Sequence, residues 1–230
     1  MIYRCRLHSE KSAKVRICIA VIPIESLTSF VIASVLLALA PGPDNIFVLT
    51  QSSVNGPRAG LSVTLGLCTG LLVHTSAVAL GLAALFNASY AAFSTVKIIG
   101  ALYLLYLAWQ AFRASSQKIQ NSQARKLTGL QFYLRGLVMN VTNPKVTIFF
   151  LALLPQFTNP DYGPVVQQVF LLGTVFIFVT LVIFGGVAVL SGSVGSWLNR
   201  SPQTQIIMNR LAGMVFVIMA LKLATANISS

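Results

Sequence analysis

Charged side chains are scarce in this sequence. Only 9% of its 230 residues are Asp, Glu, Lys or Arg, against roughly 25% in a soluble globular domain, so a soluble fold is nearly excluded. Acids are the rarest, with 4 Asp and Glu against 16 Lys and Arg. Cysteine is sparse as well. Cys5, Cys18 and Cys68 show neither paired nor metal-ligand spacing, and an odd count leaves no complete disulfide framework. No disulfide scaffold, zinc site or resident cofactor is expected. No charge interrupts residues 59–96 or 162–199, and each stretch is about twice the ~20 residues that one helix needs to cross a hydrocarbon core.

What is present is apolar, with 56% of residues hydrophobic. Gly, Pro and charge divide these residues into six candidate spans: 24–50, 61–86, 92–112, 132–154, 165–190 and 206–226. In lipid every backbone N–H and C=O must be paired internally, and these runs are too long and too continuously apolar for the alternating strands of a barrel. The expected fold is an all-α integral membrane protein of six transmembrane helices. Residues 24–112 and 132–226 would form two three-helix repeats, joined by a basic loop over 113–131 and preceded by a basic extension over 1–23.

A net charge of +12 would suggest nucleic acid in a soluble protein. In a membrane protein it reports orientation, because excess Lys and Arg stay in cytoplasmic loops. The odd-numbered connections hold Arg58, then Arg113, Lys118, Arg125, Lys126 and Arg135, then Arg200 and Arg210, whereas the second and fourth hold none. That bias puts the odd connections in the cytoplasm and both termini outside. The tail argues the other way with Arg4, Arg6, Lys11, Lys14 and Arg16, and its apolar patch over 17–24 is too short for a span and poor as a signal-peptide core. Because the internal loops agree with one another, the tail is expected to be an upstream extension, the working protein starting near residues 21–24. The alternative is a basic tail lying on the membrane surface.

Laid on itself at one constant offset, the chain matches Pro41, Pro57, Gly60 and Gly70 to Pro144, Pro160, Gly163 and Gly173. Repeats of three spans must be inverted, since an odd number of crossings turns the second copy over. Arg58 falls on Asp161, basic on the proposed inside and acidic on the proposed outside, as inversion requires.

The first span carries Pro41-Gly42-Pro43 in its middle, followed by Asp44 and Asn45. Two prolines remove two amide donors and clash with the preceding turn, so the helix must break. Such a break is tolerated in a bilayer only where protein or a cavity covers the freed backbone. The half-helix after it presents N–H groups suited to an anion such as a carboxylate. The fourth span repeats the device over 140–145 with Asn143, Pro144 and Lys145. Paired interruptions in corresponding segments point to a transporter's binding site; a pair of inert proline kinks is the bland reading.

Asp44 is the only acid deep within a span. A bare carboxylate there costs at least ~2.5 kcal/mol on insertion scales, which calls for a partner, a cavity or a proton. Asp44 fits a receptor for a substrate ammonium, a proton carrier, or a cap of its own half-helix. Lys145 fits a partner for Asp44 or for a substrate carboxylate, or a side chain snorkelling to the interface. His74 shares a helix face with Gly66 and Gly70. That face should look into the bundle, where His74 suits either proton coupling or ordinary packing. The Gly66–Gly70 pair fits a homodimer face and packing within one subunit equally well. Lys97 and Lys222 read as snorkelling anchors.

With these residues in view, the chain resembles the LysE/RhtB family of amino-acid exporters over roughly residues 24–226. The resemblance is carried by 40–45 (APGPDN), 56–60 (GPRAG) leading through Gly66 and Gly70 to His74, 97–104 (KIIGALYL), and Arg135-Gly136 through Asn143-Pro144-Lys145 to 154–157 (LPQF). It implies proton-driven efflux of amino acids such as homoserine, threonine, leucine or lysine across the bacterial inner membrane. The implied partners are a small amino-acid substrate, protons and lipid, with no nucleic acid and no enzymatic activity. A dibasic substrate would need two buried anions, and Asp44 is the only one in view, so neutral zwitterions are favoured. Two rival classes are a passive channel and an intramembrane hydrolase in which Ser193 would meet His74.

Overall fold

The computed structural model describes residues 22–39, 42–88, 90–114, 127–191 and 202–225. The tail over 1–21, Pro41, most of the basic loop (115–126) and Ser193 lie outside these residues, as do the side chains of Lys97 and Lys222. Among the described residues the structure is helical, without strands. The helices are α1 (Ile24–Leu39), α2 (Pro43–Asn55), α3 (Pro57–Ala88), α4 (Tyr90–Arg113), α5 (Gly129–Val141), α6 (Pro144–Leu153), α7 (Val165–Val189) and α8 (Pro202–Thr225), with short 3-10 turns at Leu154–Phe157 and Pro160–Tyr162.

Proline sets the boundaries. Pro43, Pro57, Pro144 and Pro202 each open a helix, where the missing N–H costs nothing and the fixed φ is already helical. Pro43 and Pro144 do so inside apolar stretches. The axis turns by 57° between α1 and α2 and by 54° between α5 and the segment Pro144–Phe157. Among the described residues two helices are long and apolar enough to cross a membrane, Pro57–Gly81 and Val165–Val189, and each bent pair taken as one span raises the number to four. Ile98–Arg113 and Gln205–Leu221 are shorter apolar helices.

Two turns use conformations open mainly to glycine: Gly56 (φ 86°) between α2 and α3, and Gly163 (φ 111°) ahead of α7. The second is pinned by Gln168, fully buried. Its amide accepts from Asn159 N at 3.0 Å and donates to Asn159 O at 2.7 Å and Gly163 O at 2.9 Å. α5 starts with a capping box, Thr128 Oγ1 accepting from Gln131 N while Gln131 Oε1 accepts from Thr128 N.

The helices pack across the two halves of the chain. α3 lies on α5 and α7, α1 on α7, and α4 on α8. The α3–α5 crossing brings backbone against backbone. A Cβ on Gly66 would strike Tyr133 O, and one on Gly136 would strike Val63 O. The face expected to look into the bundle does so, and within one chain it is the α5 backbone that fills it. Two apolar clusters result. One gathers Phe30, Leu71, Leu104, Phe149, Phe150, Phe176 and Phe216 from six helices; the other gathers Val48, Val63, Leu67, Phe132 and Phe184.

Candidate functional site

The site lies at the seam between those clusters, where both helix breaks meet. Asn143 caps α6, its Oδ1 accepting from Lys145 N at 3.0 Å. Its other atom, Nδ2, donates across the bundle to Asp44 Oδ1 at 3.1 Å. Asn140, near the end of α5 and just ahead of the break, donates Nδ2 to Asp44 Oδ2 at a longer 3.4 Å. Asp44 is therefore held by the amides of the opposite break. It does not cap its own helix: Gly42 is the N-cap of α2 and no side chain bonds there. Asn45 bridges the first break, Nδ2 donating to Ala38 O at 2.7 Å and so satisfying one of the carbonyls that the end of α1 leaves free.

His74 Nε2 lies 3.1 Å from Asn140 O. A carbonyl only accepts, so Nε2 carries the hydrogen. His74 is buried and touches the main chain of Asn140, whose side chain in turn holds Asp44. Gly70 makes this possible, because a Cβ there would run into the Asn140 side chain. Lys145 turns toward the cavity. Its ammonium sits over the Phe216 ring of α8, 5.8 Å from the centroid, and among the described residues no ion pair within 4.0 Å joins it to Asp44.

A cavity of about 50 Å³ opens between these groups. Gly42, Pro43, Asp44, Asn45, Asn143 and Lys145 all line it; Pro144 sets the break beside it, and Pro41 is outside the described residues. At ~10–15 Å³ per water this is room for a few solvent molecules. The rest of the lining is mostly apolar, from Leu37, Ala38, Leu71, Val146, Phe176 and Phe184, with Asn140 and Thr180 the polar residues among them. Among the described residues no cluster of three His, Cys, Asp or Glu is placed to hold a metal.

A buried carboxylate, a lysine outside any ion pair with it and the ends of two half-helices around one cavity suit a small zwitterion. Comparison with known proteins agrees in class, since residues 35–227 match the family described as LysE type translocator. The chain belongs to the LysE-type translocator family. A homoserine/homoserine lactone efflux protein of Salmonella typhimurium is 33% identical over 199 residues, covering 86% of this chain and 96% of that protein. An uncharacterized membrane protein of Vibrio cholerae is 31% identical over 201 residues, covering 86% and 96%. The membrane protein YrhP of Bacillus subtilis is 28% identical over 201 residues, covering 84% and 95%. No solved structure matches. As a LysE-type translocator the chain is a transporter and not an enzyme.

Asn140 and Thr180 belong to the site yet do not stand out in the sequence. Asn140 had a signal, lying three residues before Asn143 beside the same proline break. Thr180 had none beyond being a polar residue in a long apolar run.

Proposed function

We propose that this LysE-type translocator exports small neutral amino acids across the bacterial inner membrane in exchange for protons. The observation that carries the reading is the cross-tie of Asp44, from one broken helix, to Asn143 and Asn140 at the other. A substrate ammonium takes the Asp44 carboxylate, and the substrate carboxylate takes the half-helix amides together with Lys145. Lys145 can do so because its ammonium rests on an aromatic face instead of being committed to an acid. When the site is empty a proton replaces the ammonium at Asp44, and His74, bonded to the main chain of Asn140, is the second protonatable group of the coupling. A second positive charge on the substrate would find no second buried acid among the described residues. The substrate named for the Salmonella relatives, homoserine, is of the predicted neutral kind.

The same reading takes the bent pairs as single spans and adds α3, α4, α7 and α8 to give six, in two inverted repeats. Packing supports it: α1 of the first half lies on α7 of the second, and α5 of the second lies on α3 of the first. A two-fold axis in the membrane plane exchanges those two contacts. Both termini then face outward and the basic connections inward. At the end of α4 that leads into the basic loop, the Arg113 guanidinium stacks over Trp109 at 4.8 Å, the composition of a membrane-interface anchor. Alternating access would part the aromatic cluster of Phe149, Phe150 and Phe176 on one side of the cavity and the Gly60–Ser52–Ala188 contact on the other.

Cells overproducing the protein and preloaded with homoserine, threonine or lysine test the reading. Homoserine and threonine should leave faster than from control cells, and collapse of the proton gradient should abolish the difference. Export of lysine alone would refute the assignment of the site, and export indifferent to the gradient would refute the coupling.

A further inference from the structure

Hydroxyl groups inside a membrane bundle commonly satisfy themselves on the carbonyl one turn back. Here Ser34 Oγ donates to Phe30 O at 2.7 Å, Ser52 Oγ to Val48 O at 2.6 Å, Thr64 Oγ1 to Gly60 O at 2.9 Å and Thr75 Oγ1 to Leu71 O at 2.8 Å. Thr180 is buried as deeply, at 3% exposure, yet its Oγ1 has no hydrogen-bond partner. It shares that condition with Asn140 Oδ1. Both residues line the cavity; Asn140 Oδ1 is turned against Gly70 on α3, and Thr180 lies between Phe176 and Phe184 of the lining, which precede and follow it by one helical turn. Leaving a buried hydroxyl unpaired is costly, and a ligand that supplies the missing partner recovers the loss.

We propose that Thr180 is a specificity-determining residue, its hydroxyl pairing with a hydroxyl on the side chain of the exported amino acid. The inference rests on the export reading above. With the ammonium at Asp44 and the carboxylate at Lys145, the substrate side chain meets the rest of the lining, where Leu37, Leu71, Val146, Phe176 and Phe184 offer only apolar contact. Thr180 is the hydroxyl-bearing residue of that lining, which favours a side chain with one hydrogen-bonding group. A serine-like or threonine-like substrate satisfies Thr180 and itself together, whereas an apolar one leaves the Thr180 hydroxyl unpaired.

The test compares homoserine and threonine with 2-aminobutyrate, the same skeleton without the hydroxyl, in proteoliposomes under a fixed proton gradient. The wild-type protein should prefer both hydroxy compounds at subsaturating concentration. Thr180→Val keeps the shape and removes the hydroxyl. It should lower that preference about tenfold, the upper range for one neutral hydrogen bond, chiefly by slowing the hydroxy compounds. Thr180→Ser should restore the preference, and Thr180→Ala should reproduce the loss should the valine variant fold poorly. A preference unchanged in the Val and Ala variants, or an equal fall in all three fluxes, would overturn the assignment. Wild-type protein that moves none of the three would instead overturn the export reading, and this inference with it.

Discussion

Asn143 does two jobs with one side chain, and they can be separated. Its Oδ1 caps α6 at Lys145 N, while its Nδ2 holds Asp44. Asn143→Ser keeps a capping oxygen and loses the Nδ2 amide that reaches Asp44; Asn143→Ala loses both. The alanine variant should be less stable than the serine variant by ~1 kcal/mol, the usual value of an N-cap, as read by thermal unfolding in detergent. Both should be slow in transport, because Asp44 loses the same bond in each. Equal stabilities would show that the cap contributes little, and serine-variant transport at the wild-type rate would show that the Asn143 donor is dispensable. His74 separates in the same way. Its Nε2 donates to Asn140 O, a bond that His74→Gln can retain without the ability to take up a proton near neutral pH. His74→Gln should therefore fold normally and lose most gradient-driven flux; full flux would leave His74 a packing residue.

At the scale of the helices, stability should follow how closely each glycine's neighbour approaches. Gly66 abuts the α5 backbone at Tyr133 O, whereas Gly186 has nothing within 4 Å of where a Cβ would stand. Gly66→Ala should destabilise by ~1–3 kcal/mol, as overpacking does, while Gly186→Ala should be neutral or gain up to ~1 kcal/mol from helix propensity. Scanning fluorimetry of the two variants checks this, and equal losses would contradict the crossing described. The breaks themselves were legible in the sequence, because a proline without an N–H within an apolar run admits few outcomes. Asp44 was legible because an acid in such a run is rare. Asn140 and Thr180 were not. Neutral polar side chains in membrane helices usually bond to their own helix, as Ser34 and Thr75 do, and only the packing of α5 and α7 around the cavity decides which ones turn toward it. The role of the Gly66–Gly70 face was open for a related reason: the motif permits close approach but does not name the partner, which here is α5 of the same chain.

For the molecule as a whole, the account joins an orientation to a mechanism. In a Cys-free background, a cysteine at Ser116 in the basic loop should resist an impermeant thiol reagent added to intact cells, whereas one at Asn159, in the connection ahead of α7, should react. Reversed labelling would overturn the inside and outside assigned here. The mechanism turns on Asp44, whose charge is stabilised by two amides from the other half of the chain. Asp44→Asn preserves size and the half-helix while removing the charge that receives either ammonium or proton. The most direct measurement is homoserine flux driven by an imposed proton gradient in vesicles of known orientation, normalised to folded protein. Asp44→Asn should lose nearly all gradient-driven flux with folding intact; wild-type flux with its dependence on the gradient unchanged would remove Asp44 from the mechanism.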